Sequence, residues 1–237
     1  MPRKPRFTLP GYPQHVIQRG NNREPCFFGD DDYHAYLDRL QEATARYACR
    51  LHAYVLMTNH VHLLVTPQTE NGIAHLMQWL GQRYVHFINH SYQRTGTLWD
   101  GRYKANLIDT EAYLLTCMRY IELNPVRAQM ASFPGECRWS SYQSNGHCKP
   151  DPLITAHALY RALGSNSDSR CYAYRELFRH NIDNAQLHVI RDALNQELVL
   201  GRDDFKDKIG QITKRQTRRG QDGRPRIEEV GGIYRAP

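Results

Sequence analysis

The segment from residue 51 to residue 66 reads LHAYVLMTNHVHLLVT, and its pattern decides how the chain folds. Two apolar runs, Leu51 to Met57 and His60 to Thr66, predict two strands, and Thr58-Asn59 between them predicts a tight hairpin. Successive side chains of a strand point to opposite faces, so His60 and His62 share one face. Two imidazoles on one face can hold a divalent cation, or they can be polar residues on a solvated face.

The flanking sequence alternates between strand and helix patterns. In chain order it predicts a strand at Gln14 to Arg19, a helix from Asp30 to about Arg50, a helix from about Ile73 to Tyr92, a strand at Tyr103 to Ile108 and a helix from Asp109 or Thr110 to Pro125. With the hairpin, the order is βαββαβ followed by a helix. It predicts an α+β fold of the ferredoxin-like or RRM-like kind, an antiparallel sheet with helices on one face. We expect His60 and His62 on one of the two central strands.

Beyond residue 130 the pattern changes, which predicts three regions. We assign residues 1–130 to a catalytic domain, residues 131–200 to a loop and a mainly helical C-terminal extension, and residues 201–237 to a basic, flexible tail. The extension includes helical patterns at Cys171 to Phe178 and at Leu187 to Leu198. The tail is either a solvated terminus or an arm that binds phosphate, through Lys214, Arg215, Arg218 and Arg219.

The charge of the chain favours a polyanionic partner. Its 237 residues carry a formal net charge of +7, and the sequence pI is about 9.1. Every apolar run is shorter than the ~20 residues that span a bilayer. No apolar signal core follows the basic N-terminus, so we expect a cytoplasmic protein without a membrane partner.

The cysteines do not form a recognisable pattern. The chain has six cysteines and no CxxC pair, so their spacing suggests neither a zinc site nor a disulfide framework. We therefore expect reduced thiols.

A second chemical feature lies in the third helix, at Arg119 to Pro125. At 3.6 residues per turn, Tyr120 and Asn124 lie within about 40° of each other, so their polar ends can reach a common point. Such a pair suits a nucleophile beside a metal-activated electrophile, or it can be a core tyrosine and a helix-terminal asparagine. Tyr113 competes with Tyr120, but its +4 neighbour is Cys117. The amide oxygen of Asn124 suits Mg²⁺ or Mn²⁺ better, which favours Tyr120.

Several motifs together resemble one known family. They are GYPQHV at residues 11–16, RGNNR at residues 19–23, NHVHLL at residues 59–64, LWDGRYK at residues 98–104, RYIELNPVRA at residues 119–128 and WSSY at residues 139–142. This set, in this order, closely resembles the REP-associated tyrosine transposases, bacterial relatives of the single-tyrosine HUH transposases. The resemblance covers about residues 5 to 145, and the region beyond 150 is less diagnostic.

The resemblance implies a reaction and a set of site residues. The HUH histidines correspond to His60 and His62, the nucleophile to Tyr120, and the residue that completes a Mg²⁺ or Mn²⁺ site to Asn124. The implied activity is cleavage and transfer of single-stranded DNA through a 5′-phosphotyrosine. The implied substrates are hairpins formed by repetitive extragenic palindromes.

Further residues are candidates for DNA contact, and other functions stay open. Arg19, Asn21, Asn22, Arg23, Arg102, Tyr103 and Lys104 could read bases or phosphates, although ordinary surface roles fit them as well. A silent nucleic-acid-binding module and a metal hydrolase are the alternatives. We expect a monomer or a homodimer.

Overall fold

The computed structural model describes residues 6–219, in which four strands and nine helices follow one another along the chain. The strands are β1 (Gln14–Arg19), β2 (Cys49–Met57), β3 (His60–Pro67) and β4 (Lys104–Leu107). The helices are α1 (Asp30–Arg46), α2 (Gly72–Ser91), α3 (Thr110–Glu122), α4 (Asn124–Arg127), α5 (Tyr142–Asn145), α6 (Ala158–Arg161), α7 (Ser167–Glu176), α8 (Asn184–Asn195) and α9 (Asp203–Thr213). Within residues 6–219, no helix is long and apolar enough to cross a membrane.

The four strands form one sheet in the order β2-β3-β1-β4, and all pairs are antiparallel. The βαββαβ order predicted from the sequence is therefore confirmed. Strands β3 and β1 are central, so His60 and His62 lie on a central strand, as expected. The first helix ends at Arg46 rather than near Arg50, because Ala48 has a φ of 48° and β2 already begins at Cys49.

One face of the sheet is covered by α1 and α2. Leu63 of β3 and Val16 of β1 pack there against Leu40 of α1 and Leu80 of α2. Each of these side chains is almost completely buried, which stabilises the fold by roughly 1.5–3 kcal/mol per large apolar residue. The prediction of helices on one face holds for these two helices.

The opposite face is covered by α3 and by the C-terminal extension. Val55 and Leu64 pack there against Cys117 and Ile121 of α3 and against Tyr174 of α7. The third helix and the extension were not assigned to a face of the sheet from the sequence. The extension therefore shares a hydrophobic core with this face of the sheet.

A buried carboxylate joins α3 to the extension. Glu122 accepts hydrogen bonds from Ser141 Oγ at 2.6 Å, Asn145 Nδ2 at 2.9 Å and the Tyr174 hydroxyl at 2.7 Å. Burial raises the pKa of Glu122 to about 7, although the three donors act in the opposite direction. This network accounts for the glutamate of the RYIELNP motif and for the second serine of the WSSY motif.

Two expectations about the second half of the chain were wrong. The basic tail was expected to be flexible from residue 201, but residues 203–213 form α9. This helix is held because Ile209 is buried with Phe7, Leu107 and Val199. Residues 220–237 of the predicted tail lie outside the described residues.

The second correction concerns the cysteines. Cys148 and Cys171 form a disulfide, with their Cα atoms 6.0 Å apart, whereas we expected reduced thiols. Cys148 follows α5 and Cys171 lies in α7, so the fold brings together two residues whose spacing in the sequence gave no signal. Cys26, Cys49, Cys117 and Cys137 are free thiols.

Candidate active site

The antiparallel register of β1 and β3 places a polar group on the face covered by α3. Ile17 pairs with His62 and Arg19 pairs with His60. Because side chains alternate along each strand, His15 and Arg19 share the face of the two histidines. The end of α3 lies over this part of the sheet and brings Tyr120 to it.

Each histidine of the HxH pair has its Nδ1 atom in a hydrogen bond. His60 Nδ1 is 2.7 Å from Asn59 Oδ1, and His62 Nδ1 is 2.8 Å from Nε2 of His15. These contacts leave Nε2 of each ring for another partner. Burial, reinforced by Arg19, lowers the pKa of His60 to about 4, and burial with neighbouring histidines places the pKa of His62 well below its usual value. Both rings are therefore neutral at pH 7, as metal ligands must be.

Tyr120 packs directly against this group. Its ring centroid is 6.1 Å from that of His62 and 5.7 Å from that of His15, both in edge contacts. The guanidinium of Arg127 lies 4.0 Å from the centre of the Tyr120 ring and donates to the Tyr120 carbonyl at 3.0 Å. Tyr113, the competing tyrosine, packs against the same apolar cluster as Tyr120 but does not line the cavity that contains the two histidines.

Asn124 lies at the start of α4, one turn after Tyr120. Its Nδ2 atom donates to the carbonyls of Tyr120 and Ile121, both at 3.1 Å, and so closes the end of α3. Its Oδ1 atom accepts a hydrogen bond from Arg127 at 2.8 Å. An amide oxygen has two lone pairs, so one stays available to a cation.

These side chains line one cavity of about 340 Å³. Its wall consists of Ile17, Arg19, Met57, His60, His62, Tyr120, Asn124, Arg127, Ala128, Arg191, Leu194 and Asn195. The lining includes three arginines and, among the residues that the structure describes, no carboxylate. Such a cavity favours an anionic group such as a phosphodiester.

The protein supplies only part of the ligand set that a hard divalent cation requires. Within residues 6–219, no three His, Cys, Asp or Glu side chains converge on a common point. Two neutral imidazoles and one amide oxygen are available, so oxygens from water or a substrate would have to complete the coordination of Mg²⁺ or Mn²⁺. This combination suits a cation that acts on a bound phosphate.

The residues predicted to contact DNA are distributed over different parts of the molecule. Arg19 lines the cavity, whereas Asn21, Asn22 and Arg23 form a 3₁₀ turn directly after β1. The Arg23 carbonyl accepts from Asn59 Nδ2 at 2.8 Å, which ties this turn to the residue before His60. The turn brings the Glu24 carbonyl oxygen close to the backbone of Gly20. A residue with a Cβ at position 20 would clash with that oxygen.

Arg102 and Tyr103 are not part of this cavity. They line a second cavity of about 640 Å³ beside α2, together with Gln18 and Trp99. Gln18 is adjacent to Ile17 on β1 and therefore points to the opposite face of the sheet. Lys104 lies at the start of β4, and its Nζ atom is 3.4 Å from the Asn195 carbonyl.

Two of the basic residues assigned to the tail have partners within the chain. Arg218 forms ion pairs with Asp207 and Asp203, and the Arg215 guanidinium stacks 3.8 Å from the centre of the Phe7 ring. Lys214 ends α9 in a left-handed conformation, and Arg219 is the last described residue.

Three residues of this region were not predicted from the sequence. His15 could have been found from the pairing of β1 with β3, and Arg127 from its position two turns after Tyr120. Arg191 comes from α8 in the extension and had no signal in the sequence.

Comparisons with known proteins found a family model and solved structures that are similar to this chain. Residues 10–124 match the family model of IS200-like transposases. No curated protein matches the chain. The fold is similar to that of a REP-associated tyrosine transposase bound to a REP hairpin, with a TM-score of 0.54 and 15% identity over 66% of this chain and 93% of that chain.

A second structural similarity is weaker. A candidate transposase from Deinococcus radiodurans aligns over 52% of this chain and 95% of its own, with 23% identity and a TM-score of 0.36. The family match, by contrast, includes both histidines, Tyr120 and Asn124. A transposase domain implies an enzyme of DNA recombination that cuts and rejoins DNA. Residues 10–124 of this chain, which carry both histidines and the candidate nucleophile, are therefore similar to the IS200-like transposases.

Proposed function

We propose that the protein cleaves and rejoins single-stranded DNA at hairpins through a covalent bond to Tyr120, with Mg²⁺ or Mn²⁺ as cofactor. One observation carries the proposal: Tyr120, His60, His62 and Asn124 line the same electropositive cavity. The hairpin substrate is proposed because the structural neighbour is bound to a REP hairpin. The motifs that resemble REP-associated transposases support the same substrate class.

The cation would be held by Nε2 of His60, Nε2 of His62 and Oδ1 of Asn124. When bound, it would polarise a non-bridging oxygen of the scissile phosphate and offset the charge of the transition state. The chain itself contributes the positive charge of Arg127, which is fixed against the Tyr120 ring. It also contributes Arg191, which is exposed at the cavity wall and can contact phosphate oxygens.

In the reaction, the Tyr120 hydroxyl oxygen forms a bond to phosphorus and the bond from phosphorus to the 3′-oxygen breaks. The phenol loses its proton as it attacks, and the departing 3′-oxygen gains one, so a 5′-phosphotyrosine and a free 3′-hydroxyl result. A second 3′-hydroxyl can reverse the step and seal a new junction. Tyr120 is suited to this role because, within residues 6–219, its hydroxyl has no hydrogen-bond partner.

All of the proposed groups come from one chain, so the proposal requires no second copy of the protein. The turn at Asn21 to Arg23 and the second cavity with Arg102 and Tyr103 are proposed to contact DNA outside the scissile phosphate. Lys104 and the basic residues Lys214, Arg215, Arg218 and Arg219 are proposed to contribute to phosphate binding, mainly by charge.

The decisive experiment uses the variant Tyr120→Phe. With a labelled single-stranded hairpin and Mn²⁺, we expect wild-type protein to form a covalent adduct that survives a denaturing gel. The phenylalanine variant should form none while it still binds the hairpin, because only the nucleophilic oxygen is missing. Tyr113→Phe is the matched control and should retain the adduct.

Three results would contradict the proposal. An adduct formed by Tyr120→Phe would remove Tyr120 as the nucleophile. If the wild type cleaves the hairpin without forming an adduct, and Tyr120→Phe still cleaves it, the protein would be a metal hydrolase. Hairpin binding without cleavage in any metal would indicate a silent binding protein.

A further inference from the structure

His15 is a buried histidine behind the cavity that nothing above assigns to the reaction. It has no exposed surface, and it is not among the residues that line the cavity. Its Nε2 atom is 2.8 Å from Nδ1 of His62, and its ring lies edge-on to Tyr120 with centroids 5.7 Å apart. His15 thus contacts both a proposed metal ligand and the proposed nucleophile.

The short contact between the two rings requires that one proton lies between them. An imidazole carries at least one N–H, and a ring nitrogen that accepts a hydrogen bond carries no proton. Either His15 Nε2–H donates to His62 Nδ1, or His62 Nδ1–H donates to His15 Nε2. Two N–H groups facing each other, or two lone pairs, would be repulsive.

Only the second arrangement leaves His62 able to bind a cation. If His15 donates, the proton of His62 must be on Nε2, and that nitrogen has no lone pair for a metal. If His62 donates, its Nε2 lone pair is free and points away from His15. The other nitrogen of His15, Nδ1, is buried and has no partner among the described residues in either case, so it does not select between the two.

We propose that His15 is a positioning residue, which accepts the Nδ1–H of His62 and so directs the His62 Nε2 lone pair towards the cation. This inference rests on the function proposed above. It gives His62 the same kind of support that Asn59 Oδ1 provides at Nδ1 of His60. The two ligands are then oriented by different acceptors, one part-buried in the hairpin turn and one inside the sheet.

The test measures Mn²⁺ affinity without DNA, from the loss of the free-ion signal in electron paramagnetic resonance. His15→Phe keeps a flat ring but removes the acceptor, and we expect it to weaken binding about 10- to 100-fold. His15→Gln places an amide oxygen near the position of Nε2, and it should bind within a few-fold of wild type. Circular dichroism melting checks that both variants are folded.

His62→Ala separates this inference from the proposed function. If wild type binds Mn²⁺, His62→Ala does not, and His15→Phe binds as wild type does, then His15 has no positioning role. If wild type itself fails to bind, or His62→Ala binds equally well, the metal assignment fails and the inference fails with it.

A second measurement needs no variant. In ¹⁵N-labelled wild-type protein with Mg²⁺, long-range nitrogen–proton spectra distinguish protonated from unprotonated ring nitrogens. We expect His62 to carry its proton on Nδ1 in the Mg²⁺-bound protein. A proton on Nε2 of His62 under these conditions would overturn the proposal.

Discussion

On β3, Val61, Leu63 and Val65 point to the face covered by α1 and α2, whereas His60, His62 and Leu64 point to the face covered by α3. The first face contributes to an almost wholly apolar core. The second face buries imidazoles and, through α3, the carboxylate of Glu122. Buried polar groups cost free energy unless they are paired, so their concentration on one face marks the side used for chemistry.

The largest expected effect on stability comes from a substitution on the apolar face. Leu63→Ala removes a fully buried side chain, and we expect the free energy of unfolding to fall by about 2–5 kcal/mol. Urea denaturation followed by circular dichroism measures this loss. The folded fraction should still form the Tyr120 adduct at the wild-type rate, because Leu63 faces away from the cavity. A rate that falls with stability would show that the two faces are not separate.

The buried carboxylate on the other face should make stability depend on pH. Its folded pKa of about 7 lies above the usual value of 4.5, so the native state holds the proton more tightly than the unfolded chain. The resulting stabilisation is fully present below about pH 4.5 and is lost as pH rises through 7; it amounts to about 3 kcal/mol at most.

The variant Glu122→Gln isolates this effect. Glutamine does not ionise, and the Tyr174 hydroxyl can rotate to accept from its amide. Unfolding free energies measured between pH 5 and 7.5 should therefore fall with pH more steeply in wild type than in the variant. Parallel profiles would mean that Glu122 is ionised in the native protein throughout this range.

A smaller effect is expected at the cavity wall. Arg191→Ala removes an exposed charge from α8, and we expect the rate of adduct formation to fall about ten- to hundredfold with little change in stability. Arg46→Ala, an exposed arginine of α1 on the other side of the sheet, is the control and should change neither. Equal rates for both variants would remove Arg191 from the proposed reaction.

The sheet could be predicted from the sequence because its two longest strands are short apolar runs separated by turn residues. The hairpin of β2 and β3 and the shared face of His60 and His62 follow from a period of two. The position of His15 beside His62 could not be predicted in the same way. It depends on the register of β1 against β3, and a short-range pattern in the sequence does not give that register.

The extension was harder to predict for a physical reason. Its helices are short, and their positions depend on distant partners such as Glu122 with Ser141 and Asn145. The disulfide of Cys148 with Cys171 and the burial of Ile209 depend on tertiary contacts of the same kind. The composition predicted a basic, flexible tail from residue 201, although a cluster of apolar contacts holds residues 203–213 as a helix.

The network around Glu122 has a practical consequence for anyone who shortens this protein. The family match ends at residue 124, but three hydrogen-bond donors to a carboxylate inside that match come from residues 141, 145 and 174. A fragment cut at the match boundary would leave an ionisable group stranded two residues from the nucleophile. A shortened version of the protein should therefore retain the chain at least through α7.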